Sequence, residues 1–416
     1  MPNQYQLQQF DPLGRNSDIL ATFSNLEVAK KNNTVGSARI VTPSQPLIGV
    51  GYEVLENITY SIDWTEYKNA VFVGGSGNGE DRLIVQVVDQ QAINKSLWGR
   101  VEVFEASRDS ADVEALSEVG RAIIGARREQ VKFLGSLRDL PNFVFGQNYS
   151  FGDVLSFSQP SFEAVFNTPY LIQQLTDTNQ SLLFNTIYFL KQIDIDNNSL
   201  TTTLILNDAI SLLDQRIVGY ALETPQTVKE MPADDLIKEI CRENLLADGR
   251  KVANFSVDRN LSLAPTIKVD DIAWRSVLSV CQEVCETSFK KGTPLYFDVV
   301  ADSNLNLRLK TFVGQRGQDI AGVVGIDSPY RAMINGVTLN VSGGKETWAS
   351  EFLQLNGKNL GSSALNQITI TNNEATVTAR SGRSGGSDPF EFNLIDDDGN
   401  LIIDDDGEFI VDDDAP

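Results

Sequence analysis

The stretch "NAVFVGGSGNGEDRLIVQVVD" (residues 69–89) decides between two folds for this part of the chain. A glycine-rich loop that cradles phosphate follows a strand and opens a helix, whose N-terminus supplies free N–H groups. Here apolar and β-branched residues stand on both sides of the glycines, without helical spacing. Glu80 and Asp81 would also repel a phosphate group. We therefore predict a β-hairpin and no nucleotide site. Its tip holds Gly74, Gly75, Gly77 and Gly79.

The composition is that of a soluble globular protein. The chain has 416 residues, of which 41% are hydrophobic and 22% charged, and this length suits several domains with their own cores. No apolar run approaches the ~18 residues that a transmembrane helix needs. The N-terminal stretch "MPNQYQLQQF" has neither the basic nor the apolar region of a secretory signal. We expect no membrane-spanning segment.

The absence of histidine narrows the chemistry. Ser-His-Asp and Cys-His mechanisms and His-ligated zinc sites are excluded, because the sequence contains no histidine. None of its 56 acidic residues forms a pair that a local motif sets apart. The net charge of −22, with no basic stripe, also opposes contact with nucleic-acid phosphates. We expect a protein that is not an enzyme, without catalytic, cofactor-binding or metal-binding residues.

The three cysteines indicate buried thiols rather than a disulfide framework or a metal site. Their number is odd, and Cys281 and Cys285 lie four residues apart in "DDIAWRSVLSVCQEVCETSF". That spacing places both on one helical stripe, where a free cysteine behaves as a small hydrophobic residue. The stripe also carries Ile272, Trp274, Val277 and Val284. Cys241 falls on the apolar face of a second predicted helix, "PADDLIKEICRENLLADG", together with Leu236, Ile237, Ile240 and Leu245.

Composition and periodicity divide the chain into five segments. The fold class we expect is α+β and β-rich, with several small β-barrel or sandwich-like domains and a few amphipathic helices. The segments are N-terminal strands (1–46), a glycine-hairpin module (47–157), a mixed α/β module (158–320), a β-rich segment (321–380), and a flexible linker with an acidic tail (381–416).

Within the glycine-hairpin module we expect a helix and a closing strand pair. The helix is "DVEALSEVGRAIIGARREQ", whose apolar stripe runs through Val113, Leu116, Ile123 and Ile124. "FVFGQNYSFGDVLSF" (residues 143–157) reads as strand, turn and strand. In the next segment, "TIYFLKQIDIDNNSLTTTLILND" predicts a hairpin that turns at Asp196–Asn198.

The acidic tail is a repeat with a period of eight. "LIDDDGN", "IIDDDGE" and "IVDDD" begin at residues 394, 402 and 410, and residues 388–416 hold twelve acidic and no basic residues. The tail is either ordered against a partner or fully solvated. Burying three apolar side chains yields at most roughly 5–9 kcal/mol. Ordering 26 residues costs more, at about 1 kcal/mol each, so we expect order only on a partner. The spacing departs from that of a calcium-binding EF-hand loop.

The motifs of the glycine-hairpin module resemble a known family. The pattern N-x-V-F-V-G-G-x-G-x-G-x-x-R (Asn69–Arg82) is followed by "GRVEVFEASRD", "ALSEVG", "GARRE" and "NYSFGDVLSF". Together these resemble siphophage tail-tip proteins of the baseplate-hub class, which are distantly similar to the central hub of contractile-phage baseplates. "TTTLILNDAISLLDQRIV", "GTPLYFDVV" and "LKTFVGQRGQD" are similar to the hub segment of the same family. The resemblance covers roughly residues 55–157 and 185–320.

The resemblance implies a structural virion protein at the tail tip, made in the host cytoplasm. It implies a homotrimeric hub that closes the tail tube and binds the distal tail protein, the tape-measure protein and fibre or spike proteins. DNA would only pass through its lumen. Two alternatives remain: a tail-associated cell-wall hydrolase that uses carboxylates, and a carbohydrate-binding receptor module. The tryptophans that could stack on sugars in such a module are Trp64, Trp98, Trp274 and Trp348.

Overall fold

The computed structural model describes most of the chain up to residue 376. The described ranges are 4–20, 23–43, 55–77, 82–137, 140, 143–153, 165–175, 180–219, 228–270, 272–314, 316, 332–354, 367–371 and 374–376. Gly79, the linker at 381–389 and the acidic repeat, including the question of calcium binding there, lie outside the described residues.

Strands dominate the described residues, as predicted. In chain order they are β1 (Gln4–Phe10), β2 (Ser17–Leu20), β3 (Asn25–Lys31), β4 (Ser37–Pro43), β5 (Leu55–Asp63), β6 (Ala70–Gly74), β7 (Ile84–Val88), β8 (Glu102–Ala106), β9 (Gln130–Leu137), β10 (Pro169–Leu175), β11 (Gln180–Leu182), β12 (Tyr188–Asp196), β13 (Thr201–Asp208), β14 (Val228–Pro232), β15 (Phe255–Val257), β16 (Thr266–Asp270), β17 (Leu295–Ala301), β18 (Leu307–Val313), β19 (Ala332–Ser342), β20 (Lys345–Gln354), β21 (Gln367–Thr371) and β22 (Glu374–Thr376). The helices are α1 (Gln90–Ile93), α2 (Val113–Ala126), α3 (Ser211–Asp214), α4 (Ala233–Leu245) and α5 (Val277–Lys290).

One sheet of fourteen strands forms the frame of the molecule. Its main path runs β2-β1-β10-β12-β13-β4-β3-β19-β20-β21-β22, and its pairs are antiparallel. The predicted hairpin near Asp196 is confirmed as β12 and β13. Strand β12 also pairs with β5, and β5 pairs in turn with β9. Four of the five predicted segments contribute strands, so these segments share one continuous sheet.

The glycine-rich stretch is a hairpin, as predicted. β6 and β7 pair antiparallel, from Ala70 opposite Val88 to Gly74 opposite Ile84. After the short helix α1, β8 returns parallel to β6, which completes a three-stranded sheet. Helix α2 covers this sheet because its apolar face meets the inward side chains of β6. The resulting core contains Val71, Val73, Leu116 and Ile124.

The two longer helices of the mixed module build the largest core. Helix α4 begins after Pro232, and the five inward residues predicted for it, including Cys241, are fully buried. Helix α5 packs against α4 and buries Cys281 and Cys285 as predicted. Two small sheets, β14-β16 and β15-β18-β17, complete this module.

Several local predictions were wrong at the ends of elements. Val113, predicted on the buried stripe, is 54% exposed at the first position of α2, directly after the N-cap Asp112. Ile272 and Trp274 precede α5, which starts at Val277 after the N-cap Ser276. Ser276 stops the helix from extending further back because its side chain accepts from the Ser279 N–H.

Two larger expectations also need correction. Residues 143–153 form turns with isolated bridges, such as Phe145 opposite Tyr149, and not two strands. The aromatic residues in this stretch contact one another. The described sheets are open. None of them closes into a barrel, which was one of the two architectures expected.

Candidate functional site

The asparagine of the glycine-hairpin motif is a structural clamp. Asn69 is 1% exposed, and its Nδ2 donates to the carbonyl oxygen of Gly99 at 2.7 Å. Its Oδ1 accepts from the Val101 N–H at 2.8 Å. A single amide side chain thus satisfies backbone groups of the segment that leads into β8. This fixes the start of β8 beside β6, where the parallel pairing begins.

The arginine of the motif closes the hairpin tip. Arg82 donates from Nη2 to the Gly74 carbonyl at 3.0 Å and from Nε to the Gly75 carbonyl at 3.1 Å. Its guanidinium carbon lies 5.1 Å from the centroid of the Phe104 ring, a cation–π distance. The tip is therefore held by the chain itself, and its carbonyl oxygens are turned toward a cation. A phosphate cradle would instead present N–H groups.

The glycines serve close packing at the tip. A Cβ at Gly74 would lie 2.7 Å from both Arg82 and Phe104. At Gly75 it would lie 2.6 Å from the carbonyl oxygen of Ser110 and 2.7 Å from Leu116 Cδ1. Gly77 has a φ of +96°, which L-residues rarely adopt.

An aromatic stack joins the hairpin sheet to the mixed module. The half-buried Trp274, with a φ of +66°, stacks on Phe104 at a centroid distance of 4.8 Å and an interplanar angle of 20°. It also meets Phe72 at 5.8 Å. Its backbone N–H donates to the carbonyl of Val218 at 2.7 Å. Trp274 therefore links two modules that are far apart in sequence.

A buried carboxylate, that of Glu102, lies beside this stack. Two arginines pair with it, and a third lies nearby. Glu102, at the start of β8, is 2% exposed. Its Oε1 accepts from Arg100 Nε at 2.7 Å and from Arg250 Nε at 2.8 Å. Its Oε2 accepts from Arg250 Nη2 at 2.5 Å and from the Ile217 N–H at 3.1 Å. The third arginine, Arg216, is 2% exposed and donates to the carbonyl oxygen of Arg100.

These contacts keep Glu102 ionised. Burial raises the pKa of its carboxyl group, but hydrogen bonds from Arg250 and the nearby guanidinium charges outweigh burial and hold the pKa below its usual value. Burial and the other two arginines lower the pKa of Arg216 to about 10, although Glu102 opposes that shift. Glu102 and Arg216 are therefore both charged at neutral pH. The network joins the glycine-hairpin module to residues 216–250 of the mixed module.

Sequence reasoning missed this network. Glu102 is the single acidic residue in "RVEVF", a run that otherwise predicts a strand. This was the one local feature that could have indicated a buried carboxylate. Its partner Arg250 lies 148 residues away. No spacing rule connects two charges at that separation.

The four tryptophans that could stack on sugars all contact other groups of the protein. Trp64 and Trp98 are 4% and 1% exposed, and Trp98 Nε1 donates to the Ala253 carbonyl at 3.0 Å. Trp274 is enclosed by Phe72 and Phe104. Trp348, half-buried on β20, meets Phe184 edge-on at 6.1 Å. Each ring is thus engaged in packing.

Neither a metal-holding cluster nor a membrane-spanning helix occurs among the described residues. No cluster of three or more His, Cys, Asp or Glu side chains among the described residues is placed to hold a metal ion. No helix in the same part of the chain is both long and apolar enough to cross a membrane.

The glycine-hairpin module matches a family of known proteins. Residues 50–172 match the profile of the family described as Siphovirus ReqiPepy6 Gp37-like proteins. A search of curated proteins finds no match. The matched range contains the Asn69–Arg82 motif and α2. The second stretch of predicted resemblance, 185–320, lies wholly beyond it and stays a prediction. Over residues 50–172 this chain is therefore related to a siphophage protein family, as its glycine-hairpin motif predicted.

Proposed function

We propose that this chain is a structural protein of a siphophage virion and forms the hub of the tail tip. The observation that carries the proposal is the family match over the glycine-hairpin module. The polar motif residues of that module support it, because their side chains bond to the protein itself. Asn69 and Arg82 hold backbone carbonyls, and Glu102 holds arginines. Such residues build a rigid part rather than a catalytic centre.

The proposed hub is a homotrimer that closes the tail tube. It anchors the distal tail protein and the tape-measure protein, and it carries fibres or a spike. DNA only passes through its lumen during ejection. The net charge of −22 suits that role, since an acidic wall does not retain the phosphate backbone.

The proposal includes the absence of enzymatic activity. A nucleophilic mechanism needs an activated group and a base within hydrogen-bonding reach. All three thiols are buried, and burial raises the pKa of Cys241 and Cys285. The buried carboxyl groups are engaged with cations: Glu102 pairs with Arg100 and Arg250, and Asp208 pairs with Lys30. Purified protein should therefore leave host cell walls intact in zymography, and a clearing band lost on mutation of one acidic residue would contradict this.

The decisive experiment locates the protein in the virion. Antibodies against the purified chain should label tail tips of the parent phage by immunogold electron microscopy. Mass spectrometry of purified tails should find the protein there, with a major capsid protein serving as the negative control for the tail fraction. Labelling of capsids only, or absence of the protein from virions, would refute the proposal.

A further inference from the structure

A lysine and two carboxyl groups meet in the interior, where the large sheet contacts the mixed module. The side chain of Lys30 on β3 is 11% exposed, and those of Asp208 on β13 and Asp298 on β17 are 0% and 1% exposed. Lys30 Nζ lies 2.8 Å from Asp298 Oδ1 and 3.5 Å from Asp208 Oδ2. An amine is therefore held against two carboxyl groups in a site with little access to water.

The two carboxyl groups differ in their partners and therefore in their protonation. Asp298 also accepts from Arg316 Nη2 at 2.6 Å. Burial raises the pKa of Asp298, but Lys30 and Arg316 outweigh burial and hold that pKa below its usual value. Burial raises the pKa of Asp208 to about 6, so Asp208 takes up a proton more readily. Two neighbouring acids whose pKa values are separated in this way can act as base and as proton-bearing partner.

The two oxygens of Asp208 are placed for attack on the carbon between them. Oδ1 accepts from the Ile210 N–H at 3.2 Å, and such a donor stabilises the negative charge that develops on an oxygen during addition. Oδ2 is buried and has no hydrogen-bond partner among the described residues. The absence of a side chain at Gly36 leaves space for it, since a Cβ there would lie 2.7 Å from Oδ2. One oxygen is thus stabilised, and the other is free to leave.

We propose that Lys30 and Asp208 condense to an amide, an isopeptide bond that links β3 to β13. Asp298 carries a proton from the Lys30 ammonium group to Asp208 Oδ2, and the amine lone pair then forms a C–N bond to Asp208 Cγ. Asp298 carries a second proton from the nitrogen to the hydroxyl group at Oδ2, the C–O bond breaks, and water leaves. An ammonium and a carboxylate thus become one amide and one water, and Asp298 ends ionised as it began.

The balance of buried charge favours the amide. Ions in the interior lose their hydration, and the site holds Lys30 and Arg316 against Asp208 and Asp298. Condensation removes two of these ions and leaves Asp298 paired with Arg316. Freshly folded protein holds the ion pair, with Asp208 free to titrate, and the amide accumulates during storage because attack requires the amine to lose its proton beside a carboxylate. The bond does not depend on the role of the chain in a virion.

Mass spectrometry of denatured protein after storage at neutral pH tests the bond. We expect the wild type to become lighter by one water and a proteolytic digest to contain a branched peptide that joins Lys30 to Asp208. Lys30→Arg should keep its full mass, because a guanidinium group stays protonated. Lys31→Arg is the matched control. Lys31 lies 3.0 Å from Glu351, but these side chains are 47% and 43% exposed, so this variant should lose water as the wild type does.

Asp298→Asn tests the proton carrier. We expect it to slow the accumulation of the branched peptide at least about a hundredfold, and an undiminished rate would refute the role given to Asp298. Dehydration of Asp398 before Gly399 would also remove a water, but that loss would persist in Lys30→Arg and give no branched peptide. A stored wild type without the branched peptide, or an equal loss of water from Lys30→Arg, would overturn the inference. The comparison of these two proteins decides the bond by itself.

Discussion

At the residue scale, Glu102 connects the glycine-hairpin module to the mixed module. It lies in the interior and pairs with Arg100 and Arg250, and the nearby charge of Arg216 also lowers the pKa of its carboxyl group. A charge buried in this way is expensive unless its partners remain in place. The residue therefore couples the stability of the glycine-hairpin module to that of the mixed module.

Replacing Glu102 by Gln tests this dependence. The substitution keeps the shape of the side chain but leaves buried arginines without their anion, which costs about 3–5 kcal/mol for a broken buried pair. We expect urea denaturation to show a lower free energy of unfolding by that amount. The control is Glu118→Gln, because Glu118 and its partner Arg121 are 66% and 51% exposed. That pair is worth under about 1 kcal/mol. Equal losses in both variants would contradict the role given to Glu102.

At the scale of elements, α2 approaches the hairpin sheet closely because one of its faces lacks a side chain. Gly120 is buried within the helix, and a Cβ there would lie 2.5 Å from Val87 Cγ2 and 3.3 Å from Val73 Cγ2. Gly125, five residues later on the same helix, has no atom within 4 Å of such a Cβ. The two glycines thus share a helical backbone and differ in the space around them.

Replacing each glycine by alanine separates packing from helix propensity. Gly125→Ala should stabilise the protein by about 0.5–1 kcal/mol, because alanine loses less backbone entropy in a helix. Gly120→Ala has the same gain but forces α2 away from β7, and overpacking of this kind costs about 1–3 kcal/mol. Thermal unfolding followed by circular dichroism measures both. A stabilising Gly120→Ala would show that α2 is not seated by this contact.

At the scale of the whole molecule, a second buried network ties the large sheet to the mixed module. Lys30 on β3 lies 2.8 Å from Asp298 on β17 and 3.5 Å from Asp208 at the end of β13. Arg316 Nη2 also donates to Asp298 at 2.6 Å. Burial raises the pKa of Asp208 to about 6; Asp298 adds to that shift, and Lys30 opposes it.

This pKa predicts a dependence of stability on pH. The pKa in the folded state exceeds the usual 3.8, so the folded protein holds a proton that the unfolded chain has released. The stabilisation is present below pH 4 and is lost as the pH rises through about 6. The loss is about 3 kcal/mol, because the pKa differs by about two between the folded and unfolded states. Asp208→Asn does not titrate. Its free energy of unfolding should therefore rise relative to that of the wild type between pH 4 and pH 7.

Chemical denaturation at several pH values measures this difference. Asp270→Asn is the control, because Asp270 is 60% exposed at the end of β16, and its curve should run parallel to that of the wild type. A constant difference between Asp208→Asn and the wild type across this range would contradict the raised pKa.

The sequence alone determined the features that depend on neighbouring residues. The hairpin at 69–89 follows from apolar residues on both sides of a glycine turn, and the buried faces of α4 and α5 follow from their helical spacing. The motif also carried enough local information to indicate a siphophage family, whereas the contacts of its end residues, Asn69 and Arg82, appear only in the structure. Predictions failed where capping decides the boundary, as at Ile272 and Trp274, because the N-cap Ser276 starts α5 later than the apolar pattern predicts.

Tertiary structure decided the pairing of charges and the fate of apolar strands. Lys30 meets Asp298 across 268 residues, and Glu102 meets Arg250 across 148, so no local pattern encodes either contact. The run "QVKFLGSL" of β9 has the composition of a buried strand, yet its Leu134 is exposed. Apolar composition shows that a surface gains free energy by leaving water. Only the arrangement of the other strands determines whether the same chain or another one covers it.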